Sequence, residues 1–273
     1  MTVPDEAAFL QLIGKISRQA GLSLNGYKDK CLRRRIAVRM RACGVQSYAE
    51  YQELLDRDAV EYERLKDVIT INVTSFYRNA ETWKLVRRRV IPELFGGDWP
   101  EIRAWSAGCS SGEEPYTLAM LMAEYLDDQG SAERLGLVTV DATDIDRQSL
   151  ARAHEARYPL EALADVPSDV AARYFENHGA ERRVVERVRR RVVVRSSDLC
   201  IDPAPGRNYQ LIVCRNVVIY FERAMQERIF LTFAEALAPG GFLVLGKVES
   251  LFGRARDILT LLDPRERIYR RAA

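Results

Sequence analysis

Apolar positions along the chain fall into two textures, and the change between them divides it. Over residues 1 to about 67, Ala8, Leu10, Leu12, Ile13 and Ile16 recur at near-helical spacing. Gly21 ends that pattern and Tyr27 to Arg41 resumes it, which predicts a wholly helical segment. Gly44 punctuates, and Ser47-Tyr48-Ala49-Glu50 has the spacing of a capping box for a helix running to Leu55. From about residue 100, short β-rich runs take over, at 102–105, 138–143, 192–196, 210–214 and 242–245, with helical stretches at 116–126, 147–154 and 222–237 between several of them. This alternation predicts an α/β architecture, a doubly wound and mostly parallel sheet. A Pro239-Gly240-Gly241 turn precedes the run at 242–245, and a strand at 267–270 closes the sheet. Between Arg157 and Arg191 the rhythm breaks, with Pro159 and Pro167 interrupting helices and Arg182 to Arg191 dense in arginine. That is too much chain for a crossover connection and predicts a small insert on the sheet, about 157–191. The expected division is a small all-helical N-terminal domain at 1–67 and a sheet domain at 68–273.

Composition narrows the function classes. A chain of 273 residues can bury a sizeable core. With 41 Lys and Arg against 39 Asp and Glu, the net charge of +2 argues against a protein that binds nucleic acid or membranes through its overall charge. No apolar run approaches the roughly 18 residues of a membrane span, and the first residues carry no signal-peptide core. Cys31, Cys43, Cys109, Cys200 and Cys214 are scattered without a C-x-x-C pair, so a reduced cytoplasm is the simplest setting. Two histidines, His154 in a helical pattern and His178 in a polar loop, give little support to a metal site or a Ser-His-Asp triad, and no metal is expected.

The most informative stretch is Trp105-Ser106-Ala107-Gly108-Cys109-Ser110-Ser111-Gly112-Glu113-Glu114-Pro115-Tyr116. It reads as a strand, a glycine-containing turn and a helix start, where glycine permits the close approach a bound cofactor needs. A phosphate-binding loop leaves its helix N-terminus free for an anion, and two glutamates there would repel one. The loop therefore suits a neutral or cationic ligand, and S-adenosylmethionine, with its amine, sulfonium and ribose hydroxyls, fits. The G-x-G-x-x-G needed for a dinucleotide pyrophosphate is missing. Asp144, in Asp144-Ile145-Asp146, follows the next strand, where a carboxylate can accept both ribose hydroxyls; Asp146 better suits the cap of the helix after it. Asn72-Val73-Thr74-Ser75-Phe76-Tyr77-Arg78 lies between the two textures, and its plain reading is a turn capped by Thr74 or Ser75. A polar, aromatic and basic heptad at a domain junction also suits ligand binding. Cys214-Arg215-Asn216-Val217-Val218-Ile219-Tyr220-Phe221 ends another strand, and Arg215, Asn216 and Tyr220 would face the cofactor crevice, with Val217 to Ile219 as core.

Taken together and in this order, the motifs at 72–78, 106–116, 144–146 and 214–221 resemble those of the bacterial chemotaxis receptor glutamate methyltransferases, the CheR family. The resemblance covers nearly the whole chain and implies a Rossmann-like S-adenosylmethionine-dependent methyltransferase. By that resemblance Asn72, Thr74 and Arg78 would contact the cofactor, Glu114 would hold its amino group and Asp144 its ribose. Asp198 and Leu199 would meet the adenine, and Cys214 and Arg215 would line the same pocket. Arg78 and Tyr220 match the positions nearest the transferred methyl group and are the catalytic candidates. Two departures stand out: Gly246-Lys247-Val248-Glu249 replaces the family's Gly-His-Ser-Glu, and Asp198 replaces an Asn. The segment between Phe175 and Asp198 is also short for members that dock on a receptor tail peptide.

The implied reaction gives a glutamate γ-methyl ester and leaves S-adenosylhomocysteine. A glutamate of ordinary pKa about 4.3 is ionised near pH 7, so no general base is required. The enzyme's task is alignment and exclusion of water. The implied partners are the cytoplasmic helices of methyl-accepting chemoreceptors, with no nucleic acid and no membrane insertion. Lys28, Lys30, Arg33, Arg34, Arg35, Arg39 and Arg41 oppose the single acid Asp29 over residues 28–41. Arg33, Arg34 and Arg39 are the expected recognition residues for an acidic helix, because complementary charge speeds encounter and fixes orientation. Two rivals are a nucleic-acid methyltransferase, for which no Asn/Asp-Pro-Pro-Tyr/Phe segment is found, and a non-catalytic regulator that binds S-adenosylmethionine.

Overall fold

The structure, a computed structural model, describes residues 3–20, 23–70 and 72–272, so Gly21 as a helix end lies outside the described residues. The chain forms two compact units, Met1–Asn72 with Tyr220–Gln226, and Val73–Ile219 with Glu227–Ala273.

The first unit is built from α1 (Val3–Ala20), α2 (Asp29–Ala42), α3 (Tyr48–Arg57) and α4 (Ala59–Thr70). Helix α1 buries Phe9, Leu12, Ile13 and Ile16, a stripe of helical period. Leu10, expected on that stripe, is 58% exposed, and Phe9 takes its place in the core. The Ser47 hydroxyl caps α3 by accepting the Glu50 N–H at 3.2 Å. The Glu50 carboxylate reaches past Ser47 to the Gln46 N–H at 3.1 Å, a capping box closed one residue early. Helices α2, α3 and α4 meet at the buried Glu61 carboxylate, which accepts from the Tyr51 hydroxyl at 2.6 Å and from Arg39 Nε at 3.0 Å. A buried carboxylate is tolerable there because its other oxygen is paired too, with Arg39 Nη2. The segment 220–226 joins this unit: Lys28 N–H donates to the Tyr220 carbonyl, and the Tyr27 and Phe221 rings meet edge to face at 4.7 Å.

The second unit opens with α5 (Ala80–Leu85), a π-helical turn at Val86–Val90 and α6 (Ile91–Gly96). Strand β1 (Ile102–Ala107), α7 (Glu113–Asp128), β2 (Val138–Asp144) and α8 (Arg147–Glu155) follow. Next come β3 (Arg157–Pro159), α9 (Ser168–Tyr174), β4 (Phe175–His178), β5 (Glu181–Val184) and α10 (Glu186–Arg189). The unit ends with β6 (Val192–Ser196), β7 (Tyr209–Cys214), α11 (Arg223–Ala236), β8 (Leu237–Leu245), α12 (Ala255–Ile258), β9 (Leu259–Asp263) and β10 (Ile268–Arg271). The main sheet has seven strands in the order β6-β2-β1-β7-β8-β10-β9. The first five run parallel and the last two pair antiparallel. Strand β7 is apolar from Leu211 to Cys214 and buried throughout because both its faces are covered.

The expected insert is a second sheet of three antiparallel strands, β3-β5-β4. It places His178 on a strand, where a loop was expected, because β4 pairs with the arginine-rich β5. The Pro239-Gly240-Gly241 segment is not a separate turn. It lies inside β8, where Gly240 at φ +78° and a register shift against β7 absorb the irregularity. Strand β9, which the hydropathy pattern did not reveal, extends the sheet beyond β10.

Candidate cofactor and active site

In a doubly wound sheet ligands bind beyond the carboxyl ends of the strands, where the chain reverses its direction of winding. Here β1 leads outward to β2 and β6, and the chain then returns to β7 on the other side of β1. The expected cofactor residues of the second unit gather around that point. Glu114 opens α7, Asp144 ends β2, Asp198 and Leu199 follow β6, and Cys214 and Arg215 lie at the end of β7.

The loop after β1 is held by its neighbour strand: Gly108 and Cys109 both donate to the Thr143 carbonyl, at 2.8 and 2.9 Å. Two glycines are required by contact. A Cβ on Gly108 would lie 2.5 Å from the Val217 side chain, and one on Gly112 (φ +98°) would lie 2.8 Å from the Tyr158 hydroxyl. Asp144 is anchored by the loop it faces. One carboxylate oxygen accepts the Ser110 N–H at 2.8 Å and the other the Asp146 N–H at 2.9 Å. Burial raises its pKa while those N–H bonds pull it back. Each oxygen keeps a second lone pair for a hydroxyl donor. Asp146 caps α8, accepting from Gln148 and Ser149. The Ser197 N–H donates to the Asp144 carbonyl, which brings the 198–199 turn beside it. The Asp198 side chain closes that turn on the Cys200 N–H at 2.8 Å, and Leu199 is half-buried.

The two adjacent glutamates separate in role. Both Glu113 oxygens accept from the Ser111 hydroxyl, which makes it a brace for the loop. Glu114 turns toward β1 and β7, accepting from the Ser106 hydroxyl at 2.9 Å and facing Arg215 at 3.6 Å. Burial pushes the Glu114 carboxyl up and the Arg215 guanidinium down, and each holds the other charged. Arg215 also donates to the Arg78 carbonyl and to Asn79 Oδ1, both at 2.8 Å, and lies over the Trp83 ring. Cys214 is fully buried at the end of β7, and burial raises its thiol pKa, so it behaves as a small apolar group.

The segment 73–79 is a folded turn. Neither Thr74 nor Ser75 caps α5: its N-cap is Asn79 at φ +60°, without a side-chain cap bond. Thr74 is half-buried, and so is Arg78, whose guanidinium donates to the Val73 carbonyl at 2.9 Å. Tyr77 (φ +52°), Asn79, Ser110 (φ +49°) and Asn216 (φ +62°) all have left-handed backbones. Backbone strain of this kind commonly clusters at ligand-binding loops. Sequence reasoning also missed Glu249, seen only as part of a departure from a family pattern. Its buried carboxylate accepts four backbone N–H bonds, from Gly246, Asn216, Val217 and Val218. It thereby shapes the turn that places Val217 over Gly108.

Asn72 and Tyr220 belong to the helical unit. The Tyr220 ring covers the Arg35 guanidinium at 4.4 Å, and Asn72 donates to Thr70. The expected recognition arginines do not form one exposed surface. Arg33 is held by both Glu6 oxygens and lies 3.6 Å over the Phe9 ring, and Arg39 is consumed by Glu61. Only Arg34 of the three is exposed, because carboxylates of neighbouring helices, the partly exposed Glu6 and the buried Glu61, claim the other two.

Buried polar atoms without partners test the cofactor. Ser110 Oγ, Arg215 Nε and Asn216 Oδ1 are such atoms at this point, where donors and acceptors normally find partners. Together with the Asp144 and Glu114 carboxylates they suit a ligand with ribose hydroxyls and a cationic amine, which fits S-adenosylmethionine. Among the described residues no helix is long and apolar enough to cross a membrane.

Residues 7–70 match the family model described as CheR methyltransferase, all-alpha domain, and residues 72–266 the model described as CheR methyltransferase, SAM binding domain. A chemotaxis protein methyltransferase of Listeria monocytogenes is 32% identical over 262 residues, 96% of this chain and 97% of the relative. That of Borreliella burgdorferi is 28% identical over 89% of this chain and 88% of the relative. Chemotaxis protein methyltransferase 2 of Pseudomonas aeruginosa is 32% identical over 89% of this chain and 86% of the relative. The chain belongs to the CheR family of S-adenosylmethionine-dependent chemotaxis methyltransferases.

Proposed function

We propose that this chain methylates glutamate side chains on the cytoplasmic signalling helices of chemoreceptors, producing γ-methyl esters in the cytoplasm. The observation that carries the reading is the disposition of charge at the end of the sheet. Glu114 and Asp144 supply acceptors for a cationic cofactor, while Arg78, half-exposed and held by Val73, offers a cation to an incoming carboxylate. When bound, S-adenosylmethionine supplies an electrophilic methyl group on a sulfonium that leaves readily. In this reading Glu114 holds the amino group, Asp144 the ribose, and the 198–199 turn the adenine, with Thr74, Cys214 and Arg215 lining the site. Arg78 orients the substrate carboxylate without neutralising it, since tight ground-state pairing would blunt the nucleophile. Asn72 and Tyr220 are assigned by their motifs, with the Tyr220 hydroxyl as a positioning donor.

Substrate recognition is reassigned within α2. Lys30, Arg34, Val38 and Arg41 are exposed, and their spacing of four, four and three residues puts them on one face. That narrow basic stripe with one apolar residue suits a glutamate-rich helix. Incubation with methyl-labelled S-adenosylmethionine and receptor signalling domains should give label released as methanol by base. Base-stable label, or label in nucleic acid, would overturn the reading.

A further inference from the structure

A cavity of the methyltransferase unit, of about 380 Å³, is lined by none of the residues assigned above. Its walls are Tyr116 of α7, His154 and Glu155 at the end of α8, Arg157 of β3, Arg183 of β5, Arg189 and Arg190, and Val192 and Val194 of the edge strand β6. The charge is strongly one-sided. Four arginines meet only Glu155, which pairs with Arg157, and the adjoining Glu186, which pairs with Arg189 and Arg190. Arg183 Nε and Arg189 Nη1 are buried and have no hydrogen-bond partner. Buried guanidinium N–H groups left unpaired are costly, and phosphate oxygens match their fork geometry. Tyr116 and the two valines supply apolar lining, and the volume is within the range of small-ligand pockets.

The cavity is also wired to the cofactor loop. The Tyr116 hydroxyl donates to the Ala153 carbonyl at 2.8 Å, and the Tyr158 hydroxyl to the Ser111 carbonyl at 2.8 Å. Ala153 and Tyr158 are also the atoms against which Gly112 must lack a side chain. A ligand that draws Arg157 inward acts on the segment 153–158, and that segment is bonded to residues 111–116.

We propose that this cavity is a second ligand site, for a small phosphate-bearing molecule with a flat apolar part, a nucleotide by chemical class, whose occupancy is felt at the cofactor loop through Tyr116 and Tyr158. The guanidinium nitrogens take the phosphate, and the tyrosine and valines take the base. Neither part depends on which acceptor the enzyme methylates.

Calorimetry on the full chain, saturated with S-adenosylhomocysteine to block the adenosine site, should detect binding of ATP and, more weakly, pyrophosphate. The pair Arg183→Gln and Arg189→Gln should weaken ATP at least about tenfold, while Arg228→Gln, on the surface of α11, should leave it unchanged. By reciprocity ATP should shift the apparent affinity for S-adenosylhomocysteine, and Tyr116→Phe should reduce that shift while ATP still binds. Absence of ATP binding to the wild-type chain tighter than about 10 mM overturns the site without recourse to any variant. Binding that survives the double substitution also overturns it, as does displacement of ATP only by a glutamate-rich peptide and not by pyrophosphate. ATP binding without any shift in S-adenosylhomocysteine affinity overturns the coupling.

Discussion

Replacing Glu249 by Gln removes one negative charge and changes no heavy-atom outline, so its effect can be worked from the four bonds it makes. One oxygen accepts from Gly246 at 2.6 Å and Asn216 at 3.0 Å, the other from Val217 at 2.9 Å and Val218 at 3.0 Å. A glutamine can serve only one of these pairs, and its NH₂ then confronts two N–H donors. Two charge-assisted bonds at about 1.5–3 kcal/mol each give a loss of roughly 3–6 kcal/mol. Burial raises the Glu249 pKa, which means that the carboxylate bears a desolvation cost the amide escapes. The net loss should therefore sit at the low end, about 3 kcal/mol, a large share of a typical folding free energy. Urea denaturation of both proteins should show the midpoint falling with the slope unchanged. Because Val217 packs over Gly108, affinity for S-adenosylhomocysteine should fall as well. A loss under about 1 kcal/mol with cofactor affinity intact would refute the view that this carboxylate builds the site.

Asp144→Ala should weaken S-adenosylmethionine by about 1.5–3 kcal/mol, since charge-assisted acceptors for hydroxyls are lost and the Ser110 N–H is released; unchanged calorimetric affinity in a folded variant would remove Asp144 from the site. On α2, Arg34→Glu should raise the KM for receptor helices in a salt-sensitive way and leave the melting temperature nearly unchanged. Arg39→Gln should instead cost about 3 kcal/mol or more of stability, because it strands the buried Glu61 carboxylate; equal stability of the two variants would show that the assignment of exposed and structural arginines is wrong. Asp127 accepts from Arg187, Tyr174 and Arg173, and the Arg187 hydrogen bonds hold its carboxyl below the ordinary value. A depressed folded pKa gives stability that is present above the unfolded value and lost as pH falls through the folded one. Asp127→Asn should therefore flatten the acid limb of the stability curve, and an unaltered limb would remove Asp127 as a contributor.

The parallel strands were legible in the sequence because strands buried on both faces must be nearly all apolar, as at 210–214. The loop after β1 was legible because its glycines answer a local demand. The three-stranded insert was hidden. Its strands β3, β4 and β5 carry Arg157, Glu176, Arg182 and Arg183, and their pairing relies on long-range neighbours, with apolar alternation too weak to show. Glu249 was hidden for another reason. Its partners are backbone N–H groups at 216–218 and 246, and backbone donors leave no trace in residue identity.

The arginine run on α2 shows where charge counting fails. Seven basic residues against one acid over 28–41 look like a single recognition face. A helix distributes consecutive residues around its axis, so a run along the sequence is not a patch in space. Arg35 points inward, donating to the Ile69 carbonyl and lying under the Tyr220 ring, while Arg33 and Arg39 meet Glu6 and Glu61. Their partners sit 22 to 34 positions away, outside any window a local charge count would examine. What remains for an external partner is the set that shares one helical face, Lys30, Arg34 and Arg41 around Val38. Spacing by three and four, and not density, is thus the part of the pattern on which the proposed recognition rests, and it is the part that the Arg34 and Arg39 substitutions separate.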